Sequence, residues 1–295
     1  MSADRPRLVA TDVDGTLLDW DDRVPAANSA VISDLVADGS TFVLATGRPP
    51  RWLDQVVDQL PVAPLAVCAN GAVIMDTDSG ALLRVSMLGP DVLAALDEIL
   101  QRRLPGCGIA AERMGEDAAD AQFVASPDYE HAWIHPEHLE VGHAEVLDRP
   151  VLKLLARVPG MRSADMVAAL RGEADQYADV TFSTTDGLIE FAVHGATKAS
   201  GLAEVAAGLG IPHEVGAPGP IPGRAPGHVP DTVAFGAVPT TIAFGDMPND
   251  VEMLRWARHG VAMDNAIPEV KAVADEVTLT NEQAGFAHVL RRWWN

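Results

Sequence analysis

Residues 8–16 have the sequence LVATDVDGT, in which four apolar or small residues are followed abruptly by two aspartates and a glycine. An apolar run without polar alternation predicts a strand buried on both faces, which is typical of a parallel sheet covered by helices. Ligands of such sheets bind beyond the carboxyl ends of the strands, so Asp12 and Asp14 are expected to face a site. Asp12 is placed to attack a substrate, and Asp14 to exchange a proton with the leaving group. A polar turn is the alternative interpretation of residues 12–16, DVDGT.

Short apolar strands alternate with helical patterns through the first third of the chain and again after residue 193. Asn70-Gly71 is typical of a hairpin turn at the end of the first series. Between the two series, the pattern indicates a separate and more antiparallel unit. The expected elements include helices over residues 26–38, 50–60, 90–103 and 163–177, and strands over residues 41–45, 65–69, 151–157, 180–193 and 240–244.

The simplest arrangement is one α/β fold that an insertion interrupts. We predict a Rossmann-like parallel-sheet core from residues 1–83 and 194–295, with an inserted α+β cap domain from residues 84–193. Residues 211–239 are rich in proline and glycine and contain two similar stretches, VPDTVAFG and VPTTIAFG. Only the second stretch precedes an aspartate, so we predict that it forms the core strand. The segment is expected to lie at the amino ends of the strands, opposite the site.

The composition excludes several classes of protein. The chain has 295 residues, of which 48% are hydrophobic, and a net charge of −21. Such a chain can bury a core but repels a phosphate backbone, so we expect no nucleic-acid partner. The sequence shows neither a signal peptide nor an apolar run of membrane-spanning length, so no membrane partner is expected. Cys68 and Cys107 suggest no disulfide framework, and we expect a cytoplasmic protein. The sequence does not predict an oligomeric state.

A second acidic motif, Gly245-Asp246-Met247-Pro248-Asn249-Asp250, follows another predicted buried strand. Aspartate and asparagine side chains gathered at a strand end supply oxygen ligands, which suit Mg²⁺ better than a soft metal. Helix capping is the alternative interpretation, because Asp and Asn are common at the first position of a helix.

Two further motifs have the chemistry of anion sites. Lys198 is one of three lysines in the chain and begins a predicted helix after Gly195-Ala196-Thr197. A helix N-terminus with an ammonium group attracts anions. Thr46-Gly47-Arg48 brings a hydroxyl and backbone N–H groups to another strand end, where they can hold phosphate oxygens. A loop or a solvated charge is the alternative interpretation of each motif alone.

Taken together, the four motifs predict a site for phosphoryl transfer. They follow strand ends of one sheet and would therefore meet at one edge. Asp12, Asp246 and Asp250 would repel a phosphate dianion unless Mg²⁺ and Lys198 supplied positive charge. An enzyme that transfers phosphoryl groups needs this combination of charges.

DVDGT, TGR, Lys198 and GDMPND occur in this order, and in this the chain resembles the haloacid dehalogenase-like (HAD) phosphatase superfamily. The turn Asn70-Gly71-Ala72 and the stretch GVAMDNAIPEVKAVADEVT, residues 260–278, resemble its Cof-like branch. In that branch a type IIB cap lies between the second and third motifs. The resemblance covers nearly the whole chain and is weakest in the cap and in residues 211–239.

The resemblance implies a Mg²⁺-dependent phosphatase that hydrolyses small phosphorylated metabolites through an aspartyl-phosphate. Asp12 would be the nucleophile, and Asp14 would be the general acid and then the base that activates water. The remaining expected roles are phosphate binding by Thr46, Gly47, Lys198 and Asn249, metal binding by Asp12, the Asp14 backbone carbonyl and Asp246, and support of Lys198 by Asp250.

Two rival functions stay open at this point. One is a phosphomutase or a specific sugar-phosphate phosphatase of the same superfamily. The other is a phosphate-ligand sensor that binds without turnover. Asp14 argues against the sensor, because a protein that only binds needs no partner for proton transfer.

Several residues outside the four motifs also have expected places. The stretch Phe182-Ser183-Thr184-Thr185 is expected to help select the leaving group. Lys153 belongs to the inserted domain and Lys271 to a late helix, so Ala variants of both are expected to be near wild type on a generic substrate. The chain also has a cluster of histidines, for which we favour a solvated cap loop over a zinc site. Three further residues either line the cleft or lie on a helix surface. The cluster is His131, His135, His138 and His143, and the three residues are Arg48, Arg51 and Trp52.

Overall fold

The computed structural model describes residues 5–114, 122–131, 138–211 and 239–294. Within these ranges the strands form two sheets, one of eight strands and one of six. The strands are β1 (Leu8–Thr11), β2 (Thr41–Ala45), β3 (Leu65–Cys68), β4 (Val73–Asp76), β5 (Leu82–Val85), β6 (Gly108–Arg113), β7 (Gln122–Ala125), β8 (His138–Glu140), β9 (Lys153–Arg162), β10 (Asp179–Thr181), β11 (Asp186–Ala192), β12 (Thr241–Gly245), β13 (His259–Ala262) and β14 (Glu276–Val277).

The helices of these ranges lie mainly against the faces of the two sheets. They are α1 (Ala26–Ala37), α2 (Asp54–Val57), α3 (Pro90–Arg103), α4 (His143–Val146), α5 (Ser163–Leu170), α6 (Lys198–Gly208), α7 (Val251–Trp256), α8 (Pro268–Lys271) and α9 (Gly285–Leu290).

The first sheet has the strand order β14-β13-β12-β1-β2-β3-β4-β5. The strands from β14 to β3 are parallel, and β4 and β5 continue the sheet in antiparallel pairing. Alternate residues of β1 face opposite apolar clusters: Val9 packs with α1 and α9, and Ala10 packs with α6 and α7. The predicted α/β fold with a parallel core is therefore confirmed.

The predicted hairpin between β3 and β4 is present, and its turn requires a glycine. Asn70 and Gly71 both have positive φ angles, 56° and 102°. A Cβ atom on Gly71 would lie 2.2 Å from the backbone oxygen of Thr197. The turn can therefore approach the start of α6 only because residue 71 has no side chain.

The second sheet has the order β10-β11-β9-β6-β7-β8 and is antiparallel except for the β7–β8 pair. One face packs against α3 and α5, with Leu154 and Phe191 in the shared apolar cluster. The opposite face points to the first sheet and carries charged residues, including Lys153 and Glu190. The first sheet extends through Val85, so the predicted boundary at residue 83 falls inside β5.

Three predicted elements differ from the observed ones. The helix expected over residues 163–177 ends at Leu170, because Gly172 adopts a positive φ of 82°. The strand expected over residues 180–193 is divided into β10 and β11 by a turn. The helix expected over residues 50–60 begins as a 3₁₀ turn, Pro50–Trp52, before the short α2.

The second of the two similar stretches forms β12, as predicted, and the first, residues 229–236, lies outside the described residues. The flanks of the unplaced segment lie at the amino ends of the core strands. The Leu8 N–H donates to the Thr240 carbonyl at 3.2 Å, and the Arg7 side chain contacts the Gly210 carbonyl at 3.5 Å.

Candidate active site

The carboxyl ends of the parallel strands bring the predicted acidic motifs and Lys198 together. Lys198 Nζ donates to Asp12 Oδ1 and to Asp250 Oδ1, each at 2.6 Å. Thr16 Oγ1 donates to Asp246 Oδ1 at 3.0 Å. Residues more than 180 positions apart thus form one hydrogen-bonded group, since neighbouring parallel strands end at the same edge.

Lys198 is a buried cation, which rules out its alternative interpretation as a solvated charge. Its side chain is 1% exposed. Thr197 caps α6 by accepting from the Ser200 N–H, and Ser200 in turn accepts from the Thr197 N–H, so the start of the helix is fixed. Burial by itself would lower the pKa of Lys198, but the neighbouring Asp12 and Asp250 raise it above the usual value. The ammonium group therefore stays charged.

The three carboxylates of the site crowd negative charge into a buried space. One oxygen each of Asp12, Asp246 and Asp250 lies within 4.8 Å of the others. Burial, followed by the charge of Asp250, raises the pKa of Asp12 well above its usual value, although Lys198 opposes the shift. The same two causes raise the pKa of Asp246 to about 7. A single ammonium does not balance three carboxylates.

This charge imbalance fits a divalent metal. Clustered carboxylate oxygens are the donors that hard cations prefer. Gly15 makes close packing possible, because a Cβ atom there would lie 2.5 Å from Asp246 Oδ2. Asn265 Nδ2 donates to the Gly15 carbonyl at 2.8 Å and so holds the loop beside the carboxylates.

Asp250 is held rigidly by the backbone of its own motif. Its Oδ2 accepts from the N–H groups of Asp246 and Met247, both at 3.0 Å, and its Oδ1 accepts from Lys198. It makes no side-chain cap hydrogen bond to α7. Through Oδ2 it does cap the 3₁₀ turn Pro248–Asp250 that precedes α7, so capping accounts for one oxygen of Asp250, while the other orients the lysine.

Asp14 lies apart from the three buried carboxylates and is held by an arginine that sequence reasoning left undecided. Its side chain is 55% exposed, and Arg48 contacts it through Nε and Nη2 at 2.6–3.1 Å. Burial would lower the pKa of Arg48, but the hydrogen bond and charge of Asp14 raise it. Arg48 thus lies at the site rather than on a helix surface.

Thr46 and Gly47 form a tight loop after β2. Thr46 Oγ1 accepts from the Arg48 N–H at 3.0 Å, and the Thr46 carbonyl accepts from the Asn70 N–H at 3.0 Å. A Cβ atom on Gly47 would lie 3.2 Å from Asn70 Oδ1. Asn70 also accepts from Asn249 Nδ2 at 3.0 Å, so it connects two of the predicted motifs.

Lys153 of the second sheet contacts the loop after β2 that contains Gly47. Lys153 Nζ donates to the Gly47 carbonyl at 2.8 Å and to Glu190 at 3.0 Å. Beside it, Arg51 pairs with Glu112 at 2.7 Å, so Arg51 faces the second sheet. The only sequence signal for Lys153 was the rarity of lysine, because the contact depends on how the two sheets meet.

A cavity of about 490 Å³ lies between the second sheet and the core beside this group. Its lining includes Asn70, Lys198 and Asn249 from the core and Thr181 and Phe182 from the second sheet. The predicted selecting stretch therefore contributes at least Phe182 to a space that reaches the site.

The described histidines do not form a three-ligand metal group. The rings of His131 and His138 lie 3.9 Å apart, and His143 contacts Asp97 at 2.9 Å. His135 lies outside the described residues. Within the described ranges, three metal-ligating side chains cluster only at Asp12, Asp246 and Asp250. None of the helices placed in the structure is both long and apolar enough to span a bilayer.

The chain is similar to known proteins along almost its whole length. The chain is 27% identical to the 5-amino-6-(5-phospho-D-ribitylamino)uracil phosphatase YitU of Bacillus subtilis, over 99% of this chain and 98% of the relative. SMU.1108c from Streptococcus mutans has a similar fold, with a TM-score of 0.77 and 21% identity over 98% of each chain. A HAD subclass IIB sugar phosphatase, BT4131, matches with a TM-score of 0.72 and 20% identity over 97% of this chain and 98% of that one.

A family model described as haloacid dehalogenase-like hydrolase matches residues 9–215 and 237–290. The match includes all four motifs and the second sheet. The chain belongs to the haloacid dehalogenase-like hydrolase family.

Proposed function

We propose that this protein is a Mg²⁺-dependent phosphatase that hydrolyses small phosphorylated metabolites through an aspartyl-phosphate on Asp12. The observation that carries the proposal is the contact of Lys198 with Asp12 and Asp250 inside a buried group of three carboxylates. Three carboxylates and one ammonium leave an excess of negative charge, which a metal ion would balance. The metal ion and Lys198 together would then hold a phosphate. Relatives across the full length are phosphatases, which supports the same reaction class.

The reaction takes place in two displacements at phosphorus. Asp12 attacks, the bond from phosphorus to the ester oxygen breaks, and Asp14 donates a proton to the departing alkoxide. Asp14, now a carboxylate, takes a proton from water, whose oxygen attacks the aspartyl-phosphate. Phosphate leaves and the Asp12 carboxylate is restored. The exposed position of Asp14, beside Arg48, supports this role, because the leaving group and water would enter from solvent.

Phosphate is bound by Lys198, Asn249 and the loop of Thr46 and Gly47. Lys198 supplies the positive charge, and the loop supplies a hydroxyl and backbone N–H groups. The metal would be held by Asp12, Asp246 and the Asp14 backbone carbonyl, with Asp250 holding Lys198 from behind. When bound, Mg²⁺ offsets the negative charge that develops on the transferred group.

The second sheet acts as a cap that covers the cleft and selects the leaving group. We assign residues 84–193 to this cap and residues 1–83 and 194–295 to the catalytic core, with the first sheet continuing through β5. Residues 212–238 of the predicted surface excursion lie outside the described residues. The free, buried thiols of Cys68 and Cys107 support a reducing compartment such as the cytoplasm.

Release of phosphate from para-nitrophenyl phosphate, with and without Mg²⁺, tests the proposed function. We expect turnover with Mg²⁺ that a chelator removes. A panel of sugar phosphates, nucleotide-like phosphates and pyrophosphates then identifies the substrate class. Absence of turnover on every ester, in folded protein with Mg²⁺, would contradict the proposal.

The rival functions are separated by Asp14. In a sensor, no turnover would be detected in the wild type or in Asp14→Asn, and phosphate binding would be the same in both. In a hydrolase the substitution removes proton transfer, which is worth about 10²–10⁴ in rate. A phosphomutase or specific sugar phosphatase would show this loss and a narrow profile in the substrate panel.

A further inference from the structure

We propose that Lys153 and Glu190, on the second sheet, are positioning residues that hold the phosphate-binding loops of the first sheet in place. The inference rests on the proposed function. Both residues are buried, and both reach across the junction between the sheets. Neither contacts Asp12, so they act through other residues.

Lys153 holds the loop after β2. It is the first residue of β9, and its Nζ donates to the Gly47 carbonyl at 2.8 Å. That bond fixes the peptide plane between Gly47 and Arg48, whose N–H lies next to Thr46 Oγ1. A tilt of this plane would move the Arg48 N–H and, with it, the Thr46 hydroxyl that accepts from it and that is proposed to bind phosphate.

Glu190 holds Asn70 and, through it, Asn249. Glu190 Oε2 accepts from Asn70 Nδ2 at 2.8 Å and from Lys153 Nζ at 3.0 Å. Asn70 then has only its Oδ1 free to face the core, where it accepts from Asn249 Nδ2 at 3.0 Å. Glu190 therefore determines which end of the Asn70 amide faces the phosphate motif.

The other oxygen of Glu190 connects this group to the cap turn. Glu190 Oε1 accepts from Ser183 Oγ at 3.1 Å. Ser183 lies in the turn between β10 and β11, next to Phe182 in the lining of the cavity. The position of the cap turn and the geometry of the phosphate loops are therefore connected through one carboxylate.

Stability alone does not account for the pair. Buried ion pairs carry a desolvation cost that apolar residues of similar size avoid. The neighbouring pair of Arg51 and Glu112 shows the contrast. It is equally buried and also joins the two sheets, but it ends on the Arg51 side chain instead of a phosphate loop. It serves as a matched control.

The experiment measures the dissociation constant of inorganic phosphate by calorimetry in the presence of Mg²⁺, together with KM and kcat on para-nitrophenyl phosphate. The variants are Glu190→Gln, Lys153→Met and the double variant, with Glu112→Gln as control. We expect each single variant to weaken phosphate binding about 10–100-fold, the range typical of groups that orient a binding residue. The loss should appear mainly in KM, because Asp12 and Asp14 are untouched.

The double variant should bind phosphate no more weakly than the single variant that has lost more phosphate affinity, since both residues act on the same loops. It also leaves no unpaired buried charge, so it stays informative if a single variant does not fold. The control should bind phosphate within about twofold of wild type. Lys153→Arg, which keeps a donor near the Gly47 carbonyl, should recover part of the loss.

Wild-type affinity in the double variant, or an equal loss in Glu112→Gln, would overturn the inference while leaving the proposed function in place. Failure of the wild type to bind phosphate or hydrolyse any ester would overturn both. The two failures are distinguished by the wild-type protein alone.

Discussion

Two buried carboxylate groups lie near opposite ends of the first sheet and have opposite charge balances. At the carboxyl end, Asp12, Asp246 and Asp250 share one cation, Lys198. Near the amino end, the single carboxylate of Glu276 contacts two basic side chains. His259 contacts its Oε2 at 2.9 Å, and Arg292 binds both of its oxygens.

The pKa values follow this balance. Burial and Asp250 raise the pKa of Asp246 to about 7. Burial also acts to raise the pKa of Glu276, but hydrogen bonds from His259 and Arg292 outweigh it and lower the pKa to about 2. Similar burial therefore has opposite outcomes, because one group has too few cations and the other has enough.

The difference separates a functional site from a structural one. The Glu276 group is complete within the described chain and connects β13, β14 and the segment after α9. The group around Asp12 carries more negative charge than Lys198 balances, which favours the binding of a further cation. An excess of buried charge of one sign is therefore typical of a ligand-binding site.

The largest expected effect is loss of turnover in Asp12→Asn, because an amide is a poor nucleophile. Steady-state phosphate release should fall below detection, while the circular dichroism spectrum stays unchanged. Glu276→Gln is the matched change at the amino end and should retain kcat. Hydrolysis by a pure Asp12→Asn sample would exclude the covalent mechanism.

The next largest difference in kcat is expected between variants of the two cations, Lys198 and Arg292. Lys198→Ala removes a preorganised charge at the reacting phosphate, and kcat should fall on the order of 10²–10³-fold. Arg292→Ala should lower Tm and leave kcat within a few-fold, because Arg292 serves only the structural group. Lys271→Ala, on exposed α8, should match wild type in both measurements. Equal loss of kcat in the Arg292 and Lys198 variants would contradict the proposed division.

Stability should change in opposite directions in the metal-free protein at pH 8. Ionised Asp246 is disfavoured in the folded state, since its pKa is raised above the unfolded value, so Asp246→Asn should raise Tm. Glu276→Gln breaks a buried pair and should cost about 3 kcal/mol. Mg²⁺ should raise the Tm of wild type more than that of Asp246→Asn.

The acid side of the same experiment tests the sign at Glu276. Its folded pKa of about 2 lies below the usual glutamate pKa of 4.5, so its contribution to stability is complete above pH 4.5. That contribution is lost as the pH falls from 4.5 toward 2. Wild type should therefore lose its stability advantage over Glu276→Gln in this window. A constant difference between the two proteins down to pH 2 would show that charge is not the cause.

The smallest effect is expected at the amino end of the sheet. Deleting residues 217–236 should leave kcat within a few-fold of wild type, because the described flanks, Gly210 and Thr240, lie near Arg7 and Leu8, away from Asp12. Any loss should appear in Tm. A folded deletion variant without activity would place the segment in the site and remove the functional contrast between the two ends.

Sequence reasoning predicted the motif contacts but not the contacts between the two sheets. Asp12, Lys198 and Asp250 were expected to meet because strands of one parallel sheet end at one edge. Arg48 was left undecided, since its side chain could lie in the cleft or on a helix. Its contact with Asp14 depends on where the loops after β1 and β2 point, which local spacing does not specify.

The sequence by itself determined the parallel core, the hairpin at Asn70-Gly71 and the acidic motifs at strand ends. These features depend on local propensity, on apolar periodicity and on a rule of sheet topology that relates distant strands. Tertiary structure alone decided that Lys153 and Glu190 of the second sheet reach Gly47 and Asn70. The physical reason is that buried polar side chains must find partners, and which partners are in reach depends on how two separately folded sheets pack.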